Sequence, residues 1–109
     1  MIYDSFTITV AICLEDLGFC NKGDAGDFVA GGRLAFDNPD ARLVMNTDGG
    51  GLSSNHPGMR GIFLLFEAAR QLRGESTSQV ENARLAVAHG NGGMLGSVHT
   101  GGTIILACD

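Results

Sequence analysis

The sequence has 109 residues, of which 44% are hydrophobic and 17% charged, with a formal net charge of −5, so it predicts one small globular domain. The acidic balance, with seven Lys and Arg and no basic run, argues against binding to nucleic acid or to an anionic membrane surface. The sequence has no apolar run of membrane length and no signal-peptide pattern. Its three cysteines form no Cys-x-x-Cys pair, so we expect reduced thiols in a cytoplasmic protein.

The first predicted element is a helix over about residues 5–17. Asp4 or Ser5 can cap its start, and Gly18 can end it. Its apolar positions cover most of the circumference, so the helix is expected to need neighbours on two sides. These positions are Phe6, Ile8, Val10, Ile12, Cys13, Leu14 and Leu17.

The next region, residues 18–42, is polar and shows no clear period. It predicts a loop with one short strand at Phe28–Ala30. Leu43–Met45 predict a second short strand, and the glycine-rich residues 46–51 are not expected to form a regular element.

The second half of the chain predicts a helix and a β-hairpin. Pro57 is expected at the first position of the helix, after His56 as its N-cap, and Gly74 ends it. Residues 83–89 and 97–107 alternate as strands and predict the hairpin. The predicted fold is therefore α/β, in the order helix, loop, strand, helix, β-hairpin, with helices packed on a mixed sheet. The residues expected to face the core from the second helix are Ile62, Leu65, Phe66, Ala69 and Leu72.

The 17 glycines are about twice the average number, and two clusters stand beside histidines. His56 is expected to be neutral at a helix N-terminus, where it can act as a base or only cap the helix. His89 is expected at the end of a strand beside a flexible loop, where open α/β sheets bind ligands, although a structural histidine fits equally well. The histidine spacings match no compact metal site.

Three segments, taken together and in this order, resemble the C-terminal part of a thiolase of the sterol-carrier-protein type. Tyr3-Asp4-Ser5-Phe6 stands where thiolases have Asn-Glu-Ala-Phe or His-Asp-Cys-Phe. Asn46 to Gly61, with its three glycines and His56-Pro57-Gly58, is similar to Asn-x-x-Gly-Gly…Gly-His-Pro-x-Gly. His89-Gly90-Asn91-Gly92-Gly93 stands where thiolases have Cys-x-Gly-Gly-Gly or a histidine.

The resemblance implies an acyl-CoA C-acyltransferase, which makes or breaks a carbon–carbon bond of a 3-ketoacyl-CoA with no covalently bound cofactor. In this family the residue matching His56 activates a nucleophilic cysteine, and the residue matching His89 moves the proton at the substrate α-carbon. The residue matching Tyr3 orients a water of the oxyanion hole. The backbone N–H of Asn91, with Gly92 in the same loop, is expected to bind the oxyanion. Ser54 and Gly58 are expected to contact the substrate.

Ser5 stands where the sterol-carrier type has its motif cysteine, so neither usual proton-shuttle cysteine is present. Tyr3 is neither the Asn nor the His of the family pattern. A tyrosine at this position is also similar to that of thiolase-like aldolases of steroid side-chain breakdown, which pair with a small zinc-ribbon/OB-fold subunit. The sequence leaves Claisen and retro-aldol chemistry open.

Residues 1–109 are expected to form an incomplete C-terminal segment, since the nucleophile of thiolases lies in an N-terminal half. The chain alone is expected to be inactive and to work with that half or a homologous subunit, as a homo-oligomer in the complete protein. Two other interpretations are a non-catalytic module that docks on a thiolase-like partner and a hydrolase built on Ser53 and His56.

Overall fold

The computed structural model describes residues 1–93 and 99–109. It contains four helices and a two-stranded antiparallel sheet within the described residues. None of the described helices is long and apolar enough to cross a membrane. The elements are α1 (Thr7–Asp16), α2 (Ala25–Val29), a 3-10 turn (Ala30–Gly32), α3 (Gly50–Ser53), α4 (Arg60–Arg73), β1 (Leu85–Gly93) and β2 (His99–Ala107).

The predicted hairpin is confirmed. β1 and β2 pair from Leu85 opposite Ala107 to Gly93 opposite His99. The chain start adds a parallel bridge, between Ile2 and His89, on the other edge of β1. With α4 packed on β1, this arrangement confirms the α/β class. Part of the predicted second strand and of the connecting loop, residues 94–98, lies outside the described residues.

Helix α1 confirms the first predicted helix, two residues shorter at its start. Phe6 is its N-cap and makes no side-chain capping bond, so the expected cap by Asp4 or Ser5 is wrong. Leu17 and Gly18 end the helix, with Gly18 in the left-handed conformation. One side of α1 builds the core with the chain start, through Ile2, Val10, Cys13 and Leu14.

Helix α4 ends at Gly74, as predicted, but begins three residues after Pro57. The expected core face is wrong. Ile62 and Phe66 are exposed, and the buried stripe is shifted by about half a turn, to Arg60, Leu64, Glu67, Ala68 and Gln71. This stripe has the helical spacing i, i+4, i+7, i+8, i+11, but three of its five members are polar, and hydropathy alone therefore selects the other side.

Both short strands predicted before residue 46 are wrong. Phe28 and Val29 belong to α2, which packs on α1, and Ala30 opens the 3-10 turn. Leu43–Met45 is irregular and is held by a hydrogen bond from the Met45 N–H to the Leu34 carbonyl (3.0 Å). Part of the glycine segment forms a regular element after all, the short helix α3. In each case contacts distant in sequence decide the local conformation.

Candidate functional site

The chain start is held like a strand between two partners. On one side the Tyr3 N–H donates to the His89 carbonyl and the His89 N–H to the Met1 carbonyl, both at 2.9 Å. On the other side the Asn46 amide takes the place of a strand, because its Oδ1 accepts from the Ile2 N–H (2.9 Å) and its Nδ2 donates to the Ile2 carbonyl (2.8 Å). Tyr3 is therefore anchored from both sides.

Tyr3 and His56 form a direct pair. The Tyr3 hydroxyl is hydrogen-bonded to Nε2 of His56, and the two rings stack with centroids 5.4 Å apart and planes 20° apart. Tyr3 is half-buried and His56 is exposed, so the pair can meet a substrate from solvent. Two groups that each donate or accept a proton and share a hydrogen bond are suited to acid–base chemistry.

The predicted N-cap position of His56 is wrong. The residue lies in an irregular segment four residues before α4, whose N-cap is Met59. The argument from a helix dipole therefore does not apply. His56 is set instead by the glycine turn before it, because its Cδ2 lies 3.2 Å from where a Cβ on Gly51 would be. A side chain larger than hydrogen at Gly51 would crowd the ring.

His89 lies in the middle of β1 rather than at its end. Its Nδ1 is 2.8 Å from Oγ1 of Thr103, its partner on β2, and its Cε1 lies 3.1 Å from where a Cβ on Gly101 would be. Burial lowers the pKa of His89 below its ordinary value, which favours the neutral imidazole at neutral pH. The hydroxyl at Nδ1 fixes the ring orientation and leaves Nε2 for another partner.

The structure does not bring His89 to the Tyr3–His56 pair. Residues that form a β-bridge point to the same face, so His89 shares a face with Ile2, and alternation places Tyr3 on the opposite face. That opposite face belongs to Ala88 and Gly90, and a Cβ on Gly90 would lie 3.9 Å from Cα of Gly61 at the start of α4. His89 therefore lies on the opposite face of β1 from Tyr3 and its partner His56.

Asn91 lies on β1 two residues after His89, so the two side chains share a face of the strand. Because the N–H and carbonyl of His89 point toward the chain start, alternation directs the N–H of Asn91 to the same edge, away from β2. Its side-chain Nδ2 is 3.3 Å from the Tyr3 carbonyl and 3.6 Å from the Cys13 sulfur. Burial raises the pKa of the Cys13 thiol more than this contact lowers it, so the thiol stays protonated at neutral pH.

The three remaining predicted site residues are exposed. Ser54 lines a cleft of about 260 Å³ beside α4, which also includes Asn55, Pro57 and Phe66. Gly58 lies in the turn before α4, and Gly92 lies on β1 opposite Thr100. Among residues 1–93 and 99–109 there is no group of three or more His, Cys, Asp and Glu side chains placed to hold a metal ion.

Comparison with known families identifies the family of this chain. The family described as "Thiolase C-terminal domain-like" matches residues 1–107. The chain therefore belongs to the thiolase family. It covers the C-terminal domain of that family, as the three sequence motifs predict.

The relatives of this chain include enzymes named as lyases or aldolases and enzymes named as acetyltransferases. A 17-hydroxy-3-oxo-4-pregnene-20-carboxyl-CoA lyase of Mycobacterium tuberculosis is 46% identical over 73% of this chain, and a steroid side-chain-cleaving aldolase of Thermomonospora curvata is 45% identical over 72%. An acetyl-CoA acetyltransferase of Methanothermobacter thermautotrophicus is 36% identical over 94%. The matches span 19% of the length of each of the first two and 25% of the third.

Three residues that organise the site were not predicted to do so. Asp4 caps α3 rather than α1, Asn46 anchors the chain start, and Thr103 holds the ring of His89. Asn46 was visible as a motif position, and Thr103 follows from the hairpin register. Asp4 is a motif position too, but its partners lie 47 and 48 residues away and no local pattern predicts them.

Proposed function

We propose that this chain supplies the acid–base half of a thiolase-family enzyme that breaks a carbon–carbon bond next to a coenzyme A thioester by a retro-aldol reaction. The observation that carries the proposal is the hydrogen bond between Tyr3 and His56. Two relatives named as a lyase and an aldolase, at 46% and 45% identity, support this chemistry over thiolysis.

The reaction balances with these groups. The Tyr3 oxygen takes the proton of the β-hydroxyl group of a β-hydroxyacyl-CoA, while its own proton passes to Nε2 of His56. The hydroxyl oxygen becomes a carbonyl, the bond between the α- and β-carbons breaks, and its electron pair moves onto the thioester as an enolate. The N–H of Asn91 is suited to stabilise that oxyanion. His89 would take up a proton from solvent and pass it to the α-carbon, while His56 releases its own proton to solvent, so the proton count is unchanged and no oxidant or metal is required.

The other site residues keep proposed functions in this scheme. His89 remains the proposed proton donor to the α-carbon, although it lies on the other face of β1 from Tyr3, so this function needs a substrate that reaches past the strand edge. Gly92 belongs to the oxyanion loop. Ser54 and Gly58 would contact the coenzyme A thioester through the exposed loop before α4.

A second candidate is acyl transfer between coenzyme A and a cysteine, with cleavage or formation of a 3-ketoacyl-CoA. The acetyl-CoA acetyltransferase relatives support it, because they match 94% and 96% of the chain. In that case His56 activates the cysteine. Either reaction needs a partner that supplies the rest of the active site, namely an N-terminal thiolase half or a homologous subunit. A small zinc-ribbon/OB-fold subunit is a further proposed partner, and the complete protein is proposed to be a homo-oligomer.

The two reactions differ in their need for free coenzyme A. The complete protein is given a β-hydroxyacyl-CoA without free coenzyme A, and separately a 3-ketoacyl-CoA with it, and the carbonyl and acyl-CoA products are quantified. We expect cleavage of the first substrate and a loss of about 10²- to 10⁴-fold in Tyr3→Phe, which keeps the ring and removes the hydroxyl. Cleavage of only the second substrate would establish the acyltransferase instead.

The 109-residue chain is the matched control in this assay. We expect it to cleave neither substrate alone, and activity to appear when the partner that carries the rest of the site is added. Unchanged activity of the complete protein carrying Tyr3→Phe and His56→Ala together would contradict a catalytic function for this chain and leave a non-catalytic docking module.

A further inference from the structure

Asp4 is a buried carboxylate that the reaction proposed above does not use. It is 4% exposed. Its Oδ1 accepts a hydrogen bond from the Gly51 N–H (2.7 Å) and its Oδ2 one from the Leu52 N–H (3.2 Å). A carboxylate that accepts two backbone N–H groups at the start of a helix is bound strongly and in one orientation. Asp4 therefore joins the segment that carries Tyr3 to the turn that precedes His56.

The same turn contacts the ring of His56. A Cβ on Gly51 would lie 3.2 Å from Cδ2 of His56 and 3.2 Å from Oδ1 of Asp4, so the imidazole, the turn and the carboxylate meet at one point. Gly50 has a φ of 65°, and a Cβ there would overlap the Asp4 carboxylate. The two glycines thus allow the carboxylate to approach closely enough to hold the turn.

A second carboxylate secures the other side of the turn. Asp48 accepts a hydrogen bond from the Gly50 N–H through Oδ1 (3.0 Å) and one from Nη2 of the buried Arg60 through Oδ2 (2.6 Å). This pair ties the turn to α4 but does not reach the segment that carries Tyr3. Asn46 bonds Ile2 from the residues before the turn, and Asp4 links the turn itself to the chain start.

We propose that Asp4 is a positioning residue for the Tyr3–His56 pair. Its carboxylate holds the turn against which the imidazole rests, and its backbone continues directly from Tyr3, so this side chain couples the position of the imidazole to that of the phenol. The kinetic consequence rests on the proposed function, whereas the structural consequence does not.

The kinetic test uses the complete protein with Asp4→Asn, which retains one acceptor oxygen, and Asp4→Ala, which retains none. Displacement of a reacting group by about 1 Å can cost about 100-fold in rate, so we expect kcat to fall about 10- to 100-fold with little change in KM, and less in Asp4→Asn than in Asp4→Ala. In a Tyr3→Phe background the same substitutions should cost less than about twofold, because groups that act as a unit are not additive.

The structural test uses the 109-residue chain, in which Tyr3 is the only tyrosine. Isotope-labelled tyrosine then gives a single set of ring signals, and a nuclear Overhauser effect between it and the His56 ring reports the pair directly. We expect this effect to be lost in Asp4→Ala and weakened in Asp4→Asn. Cross-strand effects between Ala88 and Ile104 show in each variant that the hairpin is still folded.

Two control variants separate positioning from general damage. Asp24→Asn makes the same chemical change at an exposed carboxylate, and Val10→Ala weakens the core away from the pair. Both should keep the Tyr3–His56 effect and a kcat within about twofold of the original. A folded Asp4→Ala chain that keeps the Tyr3–His56 effect would overturn the proposal. Loss of the effect in a protein that cleaves neither substrate would uphold the positioning and refute the proposed function.

Discussion

Helices α1 and α4 bury opposite kinds of residue. Helix α1 buries apolar side chains, Val10, Cys13 and Leu14, yet leaves Ile8 and Ile12 exposed. Helix α4 buries Arg60, Glu67 and Gln71 beside Leu64 and Ala68, yet exposes Ile62, Phe63 and Phe66. Both helices therefore show apolar surface to solvent, but the buried face of α4 is mostly polar and forms a network of side-chain hydrogen bonds.

The difference follows from what each helix holds. Glu67 accepts hydrogen bonds from Thr47 Oγ1 (2.6 Å), Ser76 Oγ (2.6 Å) and Gln71 Nε2 (3.1 Å), and Gln71 also donates to the Ser78 carbonyl. These bonds bind the loops on either side of α4. Helix α1 packs on the chain start through dispersion and the hydrophobic effect, which carry no direction. A buried polar face fixes loops in position, whereas an apolar face only supplies stability.

The largest effect is expected from Leu14→Ala in α1. Leu14 is fully buried in the core with Ile2. Removal of three carbon atoms from such a position costs about 2–5 kcal/mol, because a cavity remains. Chemical denaturation followed by circular dichroism measures the loss. A change below about 1 kcal/mol would mean that α1 is not part of a packed core.

A smaller effect with a pH signature is expected from Glu67→Gln in α4. Burial raises the pKa of the Glu67 carboxyl, but the hydrogen bonds from Ser76, Thr47 and Gln71 outweigh it and lower the pKa below the ordinary value of 4.5. The carboxylate therefore contributes stability above pH 4.5, and this contribution is lost as the pH falls through the lowered pKa. We expect Glu67→Gln to cost about 1–3 kcal/mol at pH 7.

The matched measurement is the free energy of unfolding of both proteins from pH 7 down to pH 3. The difference between them should shrink as the pH falls, because the original chain loses the charge that the variant lacks. Two curves that stay parallel over this range would contradict a charged, hydrogen-bonded Glu67.

The smallest effect is expected from Ile12→Ser on the exposed side of α1. Ile12 is 50% exposed, so its removal should change the free energy of unfolding by less than about 0.5 kcal/mol in the isolated chain. In the complete protein the same substitution tests whether another segment covers this face. A loss of more than about 1 kcal/mol there, against none in the isolated chain, would show that it is covered.

Periodicity predicted the elements whose signal is local. Helix α1, the end of α4 at Gly74 and the β-hairpin are confirmed, because side-chain spacing and a left-handed glycine act within a few residues. The predictions of the core face of α4 and of strands at residues 28–30 and 43–45 were wrong. The conformations of these segments depend on partners far along the chain, such as Leu34 for Met45 and Thr47 for Glu67.

Three short motifs were enough to assign the family, because residue type and order along the chain can be read without knowledge of the fold. The sequence also named Tyr3, His56, His89 and Asn91 as candidate residues. The contact between Tyr3 and His56, and the position of His89 on the other face of β1, depend on the folded arrangement. The parallel bridge at Ile2 fixes the face to which each of these side chains points. The same folding brings Asp4 to a turn 47 residues away, where a buried carboxylate is stable only with the N–H groups that surround it.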